Sequence, residues 1–213
     1  MRNELPGPVR PEEELDRQLS VLLDKGYPDL AGISDDDLRA RVDALRPQVA
    51  HPHRTGQGVV NLLLVVRSRL VPTVAAVERF EVNGKAGWTD MGPELGDYRP
   101  IEAVRLPDCD VYLLVDVDTG AATLDMPPRE ALPTIVSAGR TPLTIDEGVA
   151  LVTQFPSVFD EHNAFQALGS RTDNKRIPSF WVSKGAPRLG WCWEGNPHSW
   201  LGAASAAGRY GSG

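Results

Sequence analysis

The sequence predicts an α+β protein, in which an N-terminal helical hairpin packs on a mixed or antiparallel sheet that a tryptophan-rich β-hairpin closes near the C-terminus. Three observations predict it. Leucines and valines recur at helical spacing before residue 47. Two runs, Val59–Val66 and 111–117, are continuously apolar and too short for amphipathic helices. Residues 177–193 form two strand-like segments about a Lys184-Gly185-Ala186-Pro187 turn. With 213 residues the chain can bury a core as one domain, expected over 11–202 between a lead-in (1–10) and a flexible tail (203–213).

Each element has a local reason. Leu15, Leu19 and Leu22 follow Pro11-Glu12-Glu13-Glu14, whose negative charges suit a helix N-terminus, and Gly26 ends the segment. Ser34 stands as an N-cap before Asp35-Asp36-Asp37, with Leu38, Val42 and Leu45 on one face and Pro47 as the stop. Residues 11–47 thus form an acidic helical hairpin. Residues 51–58 read as a loop and Val59–Val66 as a buried central strand. A strand over 77–82 turns at Asn83-Gly84, and Gly87-Trp88 begins the return. After a loop over 89–100, the strand at 111–117 ends in an Asp118-Thr119-Gly120 turn. A short helix follows Pro127-Pro128, Thr144-Ile145-Asp146-Glu147 is a capping box that opens another, and 160–168 reads as a third helical piece. In the final hairpin the two-residue period puts Trp191 and Trp193 on one face and Cys192 on the other.

Composition narrows the function classes. The 41% hydrophobic and 24% charged residues are those of an ordinary folded protein. Met-Arg-Asn-Glu-Leu-Pro-Gly-Pro at the start holds no apolar stretch and no run approaches membrane-spanning length, so a cytoplasmic protein with no membrane partner is expected. Its two cysteines, Cys109 and Cys192, are then expected as reduced thiols. A net charge of −7 argues against a duplex nucleic-acid partner, whose binding rests on phosphate neutralisation. The charge is uneven, however. Residues 11–43 carry ten acids against four bases, whereas Arg171, Lys175, Arg176, Lys184 and Arg188 face only Asp173 within 171–188. That basic stretch favours a small anionic ligand or an acidic patch on a partner protein.

The chemistry concentrates in residues 190–202, where a thiol, an imidazole, a carboxylate, an amide and three indoles are interrupted by Gly195 and Pro197. Cys192 with His198 is a candidate nucleophile and base, and Glu194 or Asn196 a candidate to orient the imidazole, because a cysteine attacks as its thiolate and an imidazolium is the usual stabiliser. Trp191, Trp193, Trp200 and Asn196, with Arg171, Arg176 and Arg188, form a candidate binding face, since indoles offer flat surfaces and guanidiniums forked donors. His51 and His53 have ligand chemistry but lack a paired Cys-x-x-Cys, so no metal and no other cofactor is predicted. Asp116 and Asp118 close an apolar strand, as in the magnesium-binding strand of haloacid-dehalogenase phosphatases, but mid-chain and without that motif's residue order; a capped turn is expected. No Walker loop, dinucleotide fingerprint or Gly-x-Ser-x-Gly elbow occurs.

Three blocks, 111–120, 141–148 and 190–202, resemble the shared segments of an uncharacterised actinobacterial family, a domain of unknown function, over roughly residues 15–205. The resemblance implies a cytoplasmic single-domain protein and no activity. Recognition of a ligand or partner is therefore the leading expectation. A thiol-dependent enzyme and a structural or assembly subunit are the alternatives.

Overall fold

The computed structural model describes residues 10–49, 59–159 and 164–212. His51 and His53 lie outside them, as does most of the expected lead-in.

The opening helices follow the sequence closely. α1 (Pro11–Asp24) buries Leu15, Leu19 and Leu22 along one stripe. Gly26, at a φ of 70° that only glycine adopts without strain, turns the chain into the short α2 (Tyr27–Ala31). α3 (Asp35–Asp43) starts at Ser34, whose hydroxyl accepts from the Asp37 amide while the Asp37 carboxylate accepts from the Ser34 amide, a full capping box.

β1 (Val59–Val66) runs antiparallel to a later, equally long strand. Between them α4 (Thr73–Val77) takes the first residue of the strand expected over 77–82. Pro72 fixes the backbone just before a Thr-Val-Ala-Ala-Val turn of helix, so only Glu81–Val82 remains as β2, paired through the Asn83-Gly84 turn with β3 (Lys85–Ala86). β4 (Trp88–Thr89), β5 (Arg99–Pro100) and β6 (Val111–Asp118) follow. Next come α5 (Pro128–Ser137), β7 (Thr141–Pro142) and α6 (Ile145–Gln154), whose capping box joins Thr144 and Glu147 as the sequence predicts.

After α6 the expectations need two corrections. Of the helical piece expected over 160–168, residues 160–163 lie outside the described residues and Ala164–Gln166 is a buried strand, β8. It is followed by β9 (Ser170–Arg171), β10 (Arg176–Ser183) and β11 (Ala186–Trp193). The tail expected from 203 onward is instead β12 (Leu201–Ala203), β13 (Ser205–Ala206) and β14 (Gly208–Gly211), with Ala203, Ala204 and Ala206 fully buried. Small residues that look mobile in sequence here carry the chain from one sheet to the other.

The first sheet has the order β1-β6-β13-β7, with β14 also on β6; the second has the order β12-β8-β10-β11-β4. The C-terminal segment passes from the second sheet at β12 to the first at β13. α6, buried at nearly every position, packs on β1 and lays Gly148 against the Phe180 ring of β10, where a Cβ would stand 2.3 Å from a ring carbon. One apolar core joins Leu63, Leu113, Leu151, Phe165, Phe180 and Leu189.

β1 is not central as expected. It ends its sheet, and α1 covers the edge that β6 leaves open. The wholly buried Gln18 donates Nε2–H to the Leu62 carbonyl (2.7 Å) and accepts at Oε1 from the Leu64 amide (2.6 Å), the pair of bonds another strand would make. At the other end of that sheet, Arg209 of β14 donates to both oxygens of the buried Glu147 (2.5 and 2.8 Å), and the Tyr112 hydroxyl donates to Glu147 Oε1 (2.8 Å).

Candidate functional site

The β10–β11 register, Arg176 opposite Trp193 and Pro178 opposite Trp191, places these four side chains on one face of the hairpin. The Arg176 guanidinium lies 4.2 Å from the centre of the Trp191 ring and 5.9 Å from that of Trp193, and the two indoles meet edge to face at 4.9 Å. Its Nη1 donates to both oxygens of Glu94 (2.7 and 2.6 Å), tying the shelf to the loop before β5. Trp193 remains 45% exposed, the most open large ring in the region.

The opposite face holds a separate aromatic stack. Arg188 lies between Trp88 (4.5 Å) and Trp181 (4.7 Å) and donates to Asp90 (2.6 Å). Trp181 contacts Trp200 at 6.4 Å, and His198 contacts Trp200 at 5.4 Å. The single indole-lined face expected from sequence is thus two faces of one thin sheet: alternation parts Trp191 and Trp193 from Trp181, and Trp200 reaches the second side through the loop after β11.

Among the described residues no hydrogen bond joins Cys192 and His198. Burial pushes the Cys192 thiol up from its ordinary value, opposed by the Ser179 hydroxyl and the Arg188 charge. Burial also pushes the His198 imidazole down, towards the neutral form, and its buried Nε2 has no partner among the described residues. Glu194 lies 3.8 Å from Lys175 instead of orienting the imidazole, and exposed Asn196 closes a turn through its amide to the Trp193 carbonyl. Among the described residues no three His, Cys, Asp or Glu side chains are grouped to hold a metal ion. Asp116 is gripped by Arg140 (3.2 Å), and the Asp118 carboxylate accepts from the Gly120 amide (2.7 Å), the capped turn the sequence predicts.

A different feature has no local signature in the sequence. β5 and β9 form a two-rung ribbon that sets Arg99 directly opposite Arg171. Like charges on one rung repel. Neither guanidinium forms a salt bridge among the described residues: Arg99 donates to backbone carbonyls, including that of Tyr98 (2.9 Å), and Arg171 makes one long contact with the Ser170 carbonyl (3.4 Å). Both line an open hollow of about 640 Å³, together with Asp97, Asp173, Pro100 and the Arg176-bound Glu94. Burial pulls the Arg171 pKa down, and a guanidinium in that setting has donors to spare. Beside it the buried Tyr98 hydroxyl has no partner among the described residues; burial, then the Glu94 charge, pushes its pKa up to about 12. Arg171 was legible as one member of a basic stretch. Its partner on the rung, 72 residues earlier, carries no local signal.

A family model described as a family of unknown function, DUF5701, matches residues 21–212. The chain belongs to that family. No curated protein and no solved structure matches it. Membership of DUF5701 names no reaction. The glycines in its motif-like blocks have packing reasons: a Cβ on Gly202 would lie 2.4 Å from the Gly120 carbonyl oxygen, and one on Gly190 2.3 Å from the Trp181 ring. Among the described residues no helix is long and apolar enough to cross a membrane.

Proposed function

We propose that this protein recognises a small anionic ligand without catalysis, seating its anionic group between Arg99 and Arg171 with the Arg176–Trp191–Trp193 shelf nearby. One observation carries the proposal. Two arginines are held on a single rung at the wall of a hollow, with no salt bridge to either among the described residues, although the Glu194 charge acts on Arg171, an arrangement that costs stability until an anion arrives. The hollow's size falls within the range of small-molecule sites, about 300–1,000 Å³. Guanidiniums favour carboxylates and phosphates because their forked donors match two oxygens at once.

The thiol-dependent alternative draws less support, since burial pushes the Cys192 thiol up from its ordinary value and among the described residues no imidazole is hydrogen-bonded to it. The exposure of Trp193 favours one second reading, in which the same edge docks an acidic segment of a partner protein. Both cysteines are free, which accords with a cytoplasmic location.

Calorimetric titration of benzoate into the full chain tests the reading. Arg171→Ala is expected to weaken binding by about tenfold or more, the effect of losing about 1.4 kcal/mol, while Cys192→Ser leaves it unchanged. Equal affinities for the native chain and Arg171→Ala overturn it.

A further inference from the structure

We infer that the hollow takes a zwitterion of dipeptide length, with its carboxylate on the Arg99–Arg171 rung and its ammonium toward Asp97 and Asp173. This rests on the anion recognition proposed above and adds the second pole of the ligand.

The ribbon brings two short sequences together in mirror order, Asp97-Tyr98-Arg99 on one arm and Arg171-Thr172-Asp173 on the other. Antiparallel pairing makes the two arginines one rung and leaves an aspartate two residues beyond it on each arm. All four side chains line the hollow, and none forms a salt bridge with another among the described residues. The fifth charge on the wall, Glu94, is neutralised by Arg176. What faces the hollow is therefore two positive and two negative groups, separated by position and without a salt bridge among the described residues.

A ligand with only negative charge would be attracted by one pair and repelled by the other. A dipolar ligand satisfies both, which is how a site discriminates by charge placement and not by net charge. Two residues of extended backbone span about 7 Å. The terminal charges of an extended dipeptide stand about as far apart, whereas those of a single amino acid are separated by one residue only. Pro100 and the nearby Trp191–Trp193 shelf offer apolar surface to the side chains. Thr172 and Asn174 are already occupied with each other and with the Arg176 amide (2.6 and 3.0 Å), so the charged groups carry the selectivity.

The test compares four probes by calorimetry against the full chain: dialanine, N-acetyl-dialanine, dialanine amide and free alanine. Dialanine is expected to bind at least about tenfold more tightly than each of the other three. The double variant Asp97→Asn/Asp173→Asn, at two exposed positions, is expected to weaken dialanine by about fivefold or more and, by removing the repulsion, to make N-acetyl-dialanine bind more tightly. If N-acetyl-dialanine binds as well as dialanine, the ammonium pole is overturned while anion recognition stands. If free alanine binds as well, the length assignment is overturned. Binding of benzoate with none of dialanine overturns this inference alone; binding of neither overturns it together with the proposed function.

Discussion

Replacing Gln18 with methionine tests how the first sheet ends. The amide of Gln18 supplies one donor and one acceptor to β1, at the Leu62 carbonyl and the Leu64 amide, in a region where Gln18 and Leu64 are 0% exposed and Leu62 2%. Methionine has nearly the same length and no polar head. It therefore leaves two backbone groups buried without partners, and each such group costs about 1–3 kcal/mol. The summed loss is about 2–6 kcal/mol, a large part of the 5–15 kcal/mol typical of a folded domain. For a chain of this size each kcal/mol lowers the melting temperature by about 2–4 °C, so a loss near the middle of that range corresponds to about 12 °C. Guanidinium denaturation of native and Gln18→Met protein measures the difference directly. A loss under about 0.5 kcal/mol, the level of an ordinary surface change, refutes the claim that this side chain closes the sheet edge.

Other positions give independent checks. Gly202→Ala forces a Cβ to within 2.6 Å of three backbone atoms of Thr119 and Gly120, and is expected to cost about 2–3 kcal/mol by thermal melting, whereas Gly96→Ala, with open space around it, changes little. Arg209→Met strands the buried Glu147 carboxylate and is expected to cost about 3–5 kcal/mol; the double variant Glu147→Gln/Arg209→Met should lose clearly less than the sum of its two single changes, and strict additivity would contradict the buried pair. Because burial raises the Cys192 thiol, the proton is held more tightly in the folded chain than in a free cysteine. Iodoacetamide is accordingly expected to modify Cys192 more slowly than a model thiol at pH 8, with the rate rising only at more alkaline pH, and faster modification would revive the enzyme reading.

Legibility in the sequence followed the range of the interactions involved. Ser34 and Thr144 announce helix starts because a cap acts over three residues, and both capping boxes are present. The final hairpin was legible because alternation and a Lys-Gly turn are local; Lys184 and Gly185 both adopt positive φ. The face assignment of Trp191 against Cys192 followed from the same period. What failed was long-range. Ala203, Ala204 and Ala206 have the composition of a tail, and only their place where the chain crosses from one sheet to the other makes them core. Gln18 reads as one polar residue on a helix, and nothing near it shows that a strand edge awaits it. Arg99 lies in a loop-like stretch, and its meaning depends wholly on standing across from Arg171. Sequence pointed to residues 171–193, and the Arg99–Arg171 rung lies at one end of that stretch.

The proposed function requires that Arg99 and Arg171 be held on one rung for a ligand at some cost to the empty protein. Thermal melting of native chain and Arg171→Gln, each with and without benzoate, tests it most directly. Benzoate at about a hundred times its dissociation constant should stabilise the native chain by about 2.7 kcal/mol. The claim predicts that Arg171→Gln, relieved of the repulsion, melts no lower than the native chain when empty and does not respond to benzoate. A variant that melts well below the native chain, together with a native chain that benzoate leaves unmoved, would assign Arg171 to the scaffold and contradict the claim.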